Sequence, residues 1–200
     1  MRVIVEEIEA LVSRVGKHPV WGYGHCRRVH ALAEELAEAE RLDHDQEILR
    51  LAAFLHDIGL YKPYTLREGA DHVRRSVLVA ARLLRDGDFP PQATRVVLDA
   101  IEHHPPGASS GRSTEGALLK DAVALDYLGA VGLSRVFAMV GLEEDVPNLA
   151  SATRHALNLR RSVPDLLHFG AARRLARERV LEMDDFFANL EDATANLKLL

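Results

Sequence analysis

The sequence is poor in the residues that mark secreted and membrane proteins. Cys26 is the only cysteine among 200 residues, which excludes an internal disulfide and favours a reducing, cytoplasmic environment. No apolar run approaches the roughly 18 residues that a bilayer-spanning helix needs. The first residues, MRVIVEEIEALVSRV, carry acids where a signal peptide has an unbroken apolar stretch. We therefore expect a cytoplasmic protein that does not insert into a membrane.

Positive charge is also in deficit. The chain has 25 Lys and Arg residues against 30 Asp and Glu residues, which gives a net charge of −5. General nucleic-acid binding needs a basic face, so the balance argues against that class of protein. Apolar residues make up 48% and charged residues 28%, as is usual for a globular protein, and the length suits one domain.

Alternating strand patterns are scarce, whereas helical spacing recurs along the chain. The segment VHALAEELAEAERL places its apolar residues on one stripe with acids opposite. TEGALLKDAVALDYLGAVGL repeats the helical spacing without a break, and residues 164–200 read as one long amphipathic helix. We predict an all-α fold with an N-terminal helix in residues 1–17, a domain in residues 18–145, and a helical extension in residues 146–200 packed on the same domain.

Polar residues interrupt the apolar faces of several predicted helices. His56 and Asp57 directly follow the apolar LAAFL, although burying an imidazole beside a carboxylate is costly. A divalent cation would compensate both groups, and helical bundles commonly hold such sites between their helices. The other candidates of this kind are His25, His72, His103, His104, Asp121 and Asp126.

These residues carry a resemblance to the HD-domain superfamily of metal-dependent phosphohydrolases, and within it to the bacterial HD phosphohydrolase subgroup. HCRRV is similar to the HxxRV segment that bears the first histidine of the superfamily, and LHDIG is similar to its defining doublet. LLKDAVALDYLGAVGLSRVFAMVG resembles a segment that reads D-A-D-x-L followed by a Gly-Ala-x-Gly run. The resemblance spans roughly residues 20–145 and implies an HD-type helical bundle.

The resemblance also implies one divalent ion (Mn, Ni, Fe, Co, Mg or Zn) held by His25, His56, Asp57 and a later aspartate. Val123 stands where D-A-D-x-L has its second aspartate. On a helix, Asp126 lies about 60° from the Val123 direction and Asp121 about 160° from it. The geometry favours Asp126. Two alternatives stay open: Asp121 is the last ligand, or the last ligand is missing and metal binding is weak.

A second metal is a further alternative, because some HD enzymes use histidines between the doublet and the last aspartate. His72 and His104 lie in that interval, and AIEHH looks like the His-His segment of HD-type cyclic-dinucleotide phosphodiesterases. Leu60, however, stands where those enzymes have a lysine after the doublet glycine, and their Gly-Tyr-Pro signature is absent. His72 and His104 therefore remain candidates for a second metal or for the substrate.

By this resemblance, the protein is a phosphohydrolase of the phosphomonoesterase or phosphodiesterase type. It would cleave a nucleotide or another small phosphate ester through a metal-bound hydroxide, with Asp57 as the general base. Developing phosphate charge needs cationic partners. The candidates are Arg28 and Lys62 for catalysis, and Arg28, Arg74 and Arg75 for the substrate phosphate.

Two other functions fit the same pattern of residues. One is an HD-fold hydratase or oxygenase of a non-phosphate molecule, which would not need arginines near the metal. The other is a catalytically silent HD module that binds a ligand as a sensor, an alternative that Val123 keeps open. The apolar stripe of the C-terminal extension fits either packing within the chain or the seam of a homodimer.

Overall fold

A computed structural model describes residues 2–65, 71–109 and 111–200, apart from the side chains of residues 2 and 3. Over these residues the chain forms nine α-helices and no strand, so the predicted all-α fold is confirmed. The helices are α1 Arg2–Val15, α2 Tyr23–Glu40, α3 Gln46–Leu55, α4 His72–Asp86, α5 Pro91–His103, α6 Thr114–Leu125, α7 Gly129–Phe137, α8 Leu149–Ser162 and α9 Gly170–Ala193. Short 3-10 turns cover Ile58–Leu60, Lys62–Tyr64 and Val163–Leu166.

Contacts within the chain group residues 1–123 and residues 124–200 into two compact units. The first unit contains α1 to α5 and most of α6, and the second contains α7 to α9. The domain boundaries that the sequence suggested, at 17/18 and 145/146, stay a prediction.

Helix α3 forms the centre of the first unit. It packs against α1, α2 and α5, and seven of its ten residues, from Ile48 to Leu55, are buried. Burial of so large an apolar surface requires packing against several other helices. The carboxyl end of α3 therefore opens into the interior of the unit, and the residues that follow it are buried as well.

Side-chain caps fix where the helices of the first unit begin. The carboxylate of Asp45 accepts hydrogen bonds from the amides of Glu47 and Ile48 at the start of α3. Asp71 accepts from the amide of Arg74 and so starts α4 at His72. Caps of this kind satisfy amides that have no partner inside the helix. The position of His72 at the first residue of α4 thus follows from the aspartate before it.

The region that read as one helix from residue 114 to 133 is divided in two. Helix α6 ends at Leu125 and α7 begins at Gly129, whose φ of +70° lies in the left-handed region. Because that conformation cannot continue a right-handed helix and glycine adopts it at little cost, the glycine marks the break. The C-terminal helix also starts later than the pattern suggested, since Val163–Leu166 is a 3-10 turn and Leu167 is extended.

The second unit is built around contacts of α7 with α8 and α9. On α9, Met183 and Phe187 are buried. The guanidinium of Arg160 on α8 binds the carboxylate of Asp184 on α9. This pair and the apolar side chains join the helices of the unit.

Candidate metal centre

His56 and Asp57 lie directly beyond the last residue of α3, in the interior. His56 is fully buried and Asp57 is 7% exposed. The amide of His56 still bonds to the carbonyl of Ala52, and its ring Nδ1 lies 2.8 Å from the carbonyl oxygen of Ala53. A carbonyl can only accept, so Nδ1 carries a hydrogen and Nε2 is directed elsewhere. The backbone at the end of α3 thus sets the orientation of the His56 ring.

Three ligand-type atoms converge at this point. Nε2 of His56 lies 3.2 Å from Nε2 of His25 on α2. Oδ2 of Asp57 lies 3.4 Å from Nε2 of His56 and 3.7 Å from Nε2 of His25. His25, like the other two residues, is buried. Two helices and one turn therefore bring together three groups that the sequence singled out as a set.

The triangle formed by these atoms has the dimensions of a metal site. The radius of the circle through its corners is the product of the sides divided by four times the area. For the sides above it is about 2.0 Å, close to the roughly 2.0–2.1 Å of zinc–imidazole bonds. One ion could therefore contact all three atoms without a change in the backbone.

A second group shares Asp57. Its other oxygen, Oδ1, lies 3.8 Å from Nε2 of His104, the residue that follows α5. The rings of His72 and His104 have centroids 6.0 Å apart, and single ligand atoms of Asp57, His72 and His104 lie within 4.8 Å of one another. Among the described residues, this group and the first triangle are the two clusters that could hold a metal ion.

The orientation of His104 is fixed in the same way as that of His56. Its Nδ1 lies 2.7 Å from the carbonyl oxygen of Ile101 and therefore donates to it. Burial, together with the neighbouring His56, lowers the pKa of His104 to about 3, so the ring is neutral near pH 7. Nε2 then presents a lone pair to the carboxylate oxygen of Asp57. Two acceptors that face each other in the interior are favourable only when a cation lies between them.

The charge of Asp57 is maintained despite its burial. Burial alone would raise the pKa of its carboxyl group, but the imidazoles of His56 and His25 hold that pKa well below its usual range. The carboxylate is therefore ionised at neutral pH. An ionised carboxylate among imidazoles is a typical ligand set for Mn, Fe, Ni or Zn.

The two late aspartates differ in their surroundings. Asp121, on α6, is fully buried. Asp126 is also buried, and its Oδ2 lies 3.0 Å from Nη1 of Arg135. The same guanidinium nitrogen donates to the Asp126 carbonyl at 3.0 Å, and the guanidinium lies over the ring of Tyr127. Neither aspartate belongs to the two clusters found among the described residues.

Comparison with known proteins agrees with the geometry of this site. The chain matches the HD domain family over residues 22–128, which is more than half of its length. The chain belongs to the HD domain family. The curated protein YpgQ of Bacillus subtilis (strain 168) is 30% identical over 174 residues, 84% of this chain and 81% of YpgQ.

Solved structures of HD proteins share the fold. The crystal structure of B. subtilis YpgQ in complex with ADP has a TM-score of 0.73 and 27% identity, and the alignment covers 96% of this chain and 95% of that one. An HD-superfamily hydrolase from Bacillus thuringiensis has a TM-score of 0.69 and 25% identity, with 98% and 99% coverage. A predicted HD-superfamily hydrolase from an uncultured Thermotogales bacterium has a TM-score of 0.65, again at 25% identity, with 96% and 92% coverage.

The HD turn of this chain is held by α4. Gly59, two residues after Asp57, donates its amide hydrogen to Oγ of Ser76 at 3.0 Å. Its carbonyl accepts from Nε of Arg75 at 3.0 Å. A Cβ atom at position 59 would lie 2.6 Å from the His72 carbonyl oxygen. Only glycine allows α4, and His72 with it, to lie this close to the HD turn.

The four cationic residues that the sequence suggested for phosphate differ in exposure. Lys62 and Arg74 are exposed, and Arg28 and Arg75 are half-buried. Part of the Arg75 guanidinium is engaged with the Gly59 carbonyl. Arg28 lies on α2 one turn after His25, and its Nη1 is the atom nearest to a Cβ built at Gly24.

Sequence reasoning missed the residues that support the ligands. Ser76 is fully buried, and its signal is a hydroxyl on the apolar stripe of VRRSVLVAARLL, where an aliphatic side chain is expected. Tyr61 and Cys26 are also buried and in contact with each other. Their pairing joins positions 35 residues apart, and no local pattern indicates such a contact.

Across the described residues, no helix combines the length and the apolar character that a membrane-spanning helix needs.

Proposed function

We infer that this HD protein is a metal-dependent phosphohydrolase that acts on a nucleotide or a similar small phosphate ester. The observation that carries the proposal is the buried triangle of His25, His56 and Asp57, whose dimensions match a divalent ion. YpgQ, which shares the fold along almost its whole length, has been crystallised with ADP. That complex supports a nucleotide as the substrate class.

His25, His56 and Asp57 would hold the ion, and a fourth ligand would come from the end of α6. The ion pair with Arg135 speaks against Asp126 as that ligand, because its carboxylate is already neutralised. We therefore favour Asp121, which is fully buried and belongs to the same compact unit as the other ligands. A divalent ion bound there supplies Lewis-acid polarisation of a phosphoryl oxygen and lowers the pKa of water.

The side chains of the protein supply the remaining chemistry. Asp57 is the candidate general base, and its ionised carboxylate can accept a hydrogen bond from an attacking water and orient it. His104 presents an unprotonated Nε2 beside the same carboxylate. With His72 it would complete a second metal position or contact the substrate. Arg28 and Lys62 would neutralise phosphate charge, and Arg74 and Arg75 would add to a basic entrance near the site.

A metal-binding comparison tests the first part of this proposal. The purified protein is stripped with a chelator and titrated with Mn²⁺, Ni²⁺, Co²⁺, Mg²⁺ and Zn²⁺, alongside His25→Ala and the control His30→Ala. The control alters a histidine on the same helix that lies outside both clusters. We expect binding by the wild type and the control, and loss in His25→Ala. Absence of metal binding by the wild type would refute the proposal.

A substrate screen tests the second part. Nucleoside mono-, di- and triphosphates, cyclic dinucleotides and simple phosphomonoesters are incubated with the metal-loaded protein, and release of phosphate or pyrophosphate is measured. Turnover of a phosphate ester that is lost in Asp57→Asn supports the proposal. Metal binding together with nucleotide binding but no turnover would indicate a ligand sensor instead. Turnover restricted to molecules without phosphate would indicate a hydratase or oxygenase.

A further inference from the structure

We propose that Tyr61 is a positioning residue that holds helix α2 and the HD turn in register, and so sets the separation between His25 and Asp57. The proposal rests on the metal centre proposed above. Tyr61 ends the 3-10 turn that follows the HD doublet, four residues after Asp57. Its hydroxyl reaches back to the segment that carries His25.

Two contacts of the Tyr61 hydroxyl define this connection. It lies 3.1 Å from the carbonyl oxygen of Trp21, in the loop before α2. It also lies 3.3 Å from Sγ of Cys26, the residue directly after His25. One oxygen thus contacts the chain on both sides of His25.

The directions of the two hydrogen bonds follow from the chemistry of the groups. The Trp21 carbonyl can only accept, so the hydroxyl of Tyr61 donates to it. The oxygen of Tyr61 can then accept from the thiol of Cys26 at 3.3 Å, a shorter contact than the 4.0 Å from the same sulfur to the carbonyl oxygen of Phe54. The result is a continuous chain from thiol to hydroxyl to carbonyl.

The aromatic ring of Tyr61 is enclosed independently of its hydroxyl. The residue is 2% exposed. A Cβ atom built at Gly16 would lie 3.0 Å from Cζ of Tyr61 and 3.1 Å from the amide of Tyr23. A phenylalanine at position 61 therefore keeps the ring packed and removes only the two hydrogen bonds. This makes the contribution of the hydroxyl measurable.

The ligand geometry is sensitive to this connection. His25 and Asp57 belong to different segments, and their ligand atoms lie 3.7 Å apart. Metal ligands must be held within about 0.5 Å of their binding geometry. Loss of supporting hydrogen bonds around metal ligands commonly weakens metal affinity about 10- to 100-fold. We expect a loss of that size when the hydroxyl of Tyr61 is removed.

Tyr23→Phe provides a matched control for Tyr61→Phe. Tyr23 is a half-buried residue of α2, and its hydroxyl donates to the carboxylate of Glu9 on α1 at 2.9 Å. Both variants lose one phenolic oxygen, but only Tyr61 connects the two ligand-bearing segments. The dissociation constant for Co²⁺ and its visible absorption spectrum are measured on both full-length variants, together with their melting temperatures without metal.

We expect Tyr61→Phe to bind Co²⁺ about 10- to 100-fold more weakly than wild type and to shift its absorption bands. Tyr23→Phe should leave both within about twofold, since its hydrogen bond joins α2 to α1 and not to the HD turn. Equal affinity and spectrum in wild type and Tyr61→Phe would overturn the inference while leaving the metal centre standing. A wild type that binds no metal would overturn both.

A second pair of variants covers the outcome in which Tyr61→Phe fails to fold. Cys26→Ser retains a donor to the tyrosine oxygen, and Cys26→Ala removes it. We expect weaker Co²⁺ binding in Cys26→Ala than in Cys26→Ser. Equal binding in this pair would show that the thiol is only packed beside Tyr61, and would overturn the proposed connection.

Discussion

Nε2 of His104 faces Oδ1 of Asp57 at 3.8 Å, while Oδ2 of the same carboxylate faces His25 and His56. One carboxylate therefore belongs to two groups of histidines. The ligand atoms of the first group lie closer together. Their triangle has sides of 3.2 to 3.7 Å, whereas in the second group the Asp57–His104 distance is 3.8 Å. We expect the first group to bind a metal ion more tightly than the second.

This difference predicts a stepwise loss of metal. His104→Ala should remove binding at the weaker position and retain it at the tighter one, because the ligand atom of His104, Nε2, faces Oδ1 of Asp57 while Oδ2 faces the first group. Metal content per chain, measured by elemental analysis after dialysis against Mn²⁺, reports the stoichiometry. His103→Ala is the control, since that ring bonds to Asp99 and lies outside both clusters. An unchanged stoichiometry in His104→Ala would argue against the second position.

The close approach of Gly59 to α4 predicts a cost for any side chain there. In Gly59→Ala the new Cβ would lie 2.6 Å from the His72 carbonyl and from the Ser76 amide, and overpacking of this kind costs about 1–3 kcal/mol. Urea unfolding measures the loss. Gly24→Ala is the control, since the nearest atom to its Cβ is 3.6 Å away. A Gly59→Ala protein as stable as wild type would mean that α4 can move away freely.

Removal of the Ser76 hydroxyl leaves a buried amide without its acceptor. Ser76→Ala should lower the free energy of unfolding by about 1–3 kcal/mol, since the amide of Gly59 then loses its bond. Ser134→Ala, which alters an exposed hydroxyl on α7, should change it by less than about 0.5 kcal/mol. Equal effects in the two variants would contradict the role given to Ser76.

Substitution of Asp121 should affect metal binding, whereas substitution of Asp126 should affect stability. Asp121→Asn should abolish tight metal binding if Asp121 is the fourth ligand. Asp126→Asn leaves the buried guanidinium of Arg135 without its counter-charge, and breaking a buried ion pair costs about 3–5 kcal/mol. Metal titration and urea unfolding are measured on both variants. Retained metal binding in Asp121→Asn, with loss in Asp126→Asn, would instead support the assignment that helix geometry favoured from the sequence.

The buried thiol predicts a dependence on pH. With its pKa raised from 9.0 to about 12, Cys26 at pH 8 carries about a thousandfold less thiolate in the folded state than in the unfolded chain. A thiol reagent should therefore react rapidly only after denaturation. Between pH 9 and pH 12 the folded state keeps a proton that the unfolded state releases, so the thiol contributes a fall in stability as pH rises. The stability of Cys26→Ser should fall less than that of the wild type between pH 9 and pH 12. Rapid labelling of Cys26 in the native protein would contradict its burial.

Local patterns in the sequence named several residues of the candidate site. His25 and the doublet His56-Asp57 could be recognised because polar groups in apolar helices are rare and their order resembles a known family. His104 could be named but not assigned, because its role depends on how α5 packs near the end of α3. The break at Gly129 was missed, since the apolar spacing continues through it and only the left-handed backbone reveals it.

Contacts between distant segments could not be read from the chain. Tyr61 and Cys26 meet only after α2 and the HD turn have packed together. The same holds for Ser76, whose partner is a backbone amide and not a side chain. Pairings that use the backbone or a single hydroxyl leave little trace in composition or periodicity. They emerge from tertiary packing.

The position of Asp57 between two sets of histidines has an evolutionary consequence. A single-base change in its codon would disable both sets together, whereas loss of any one histidine would disable only one. Descendants of such a gene could therefore pass from enzyme to non-enzyme in one step and keep their fold. A homologue that retains His25 and His104 but lacks this carboxylate is the expected product of that transition.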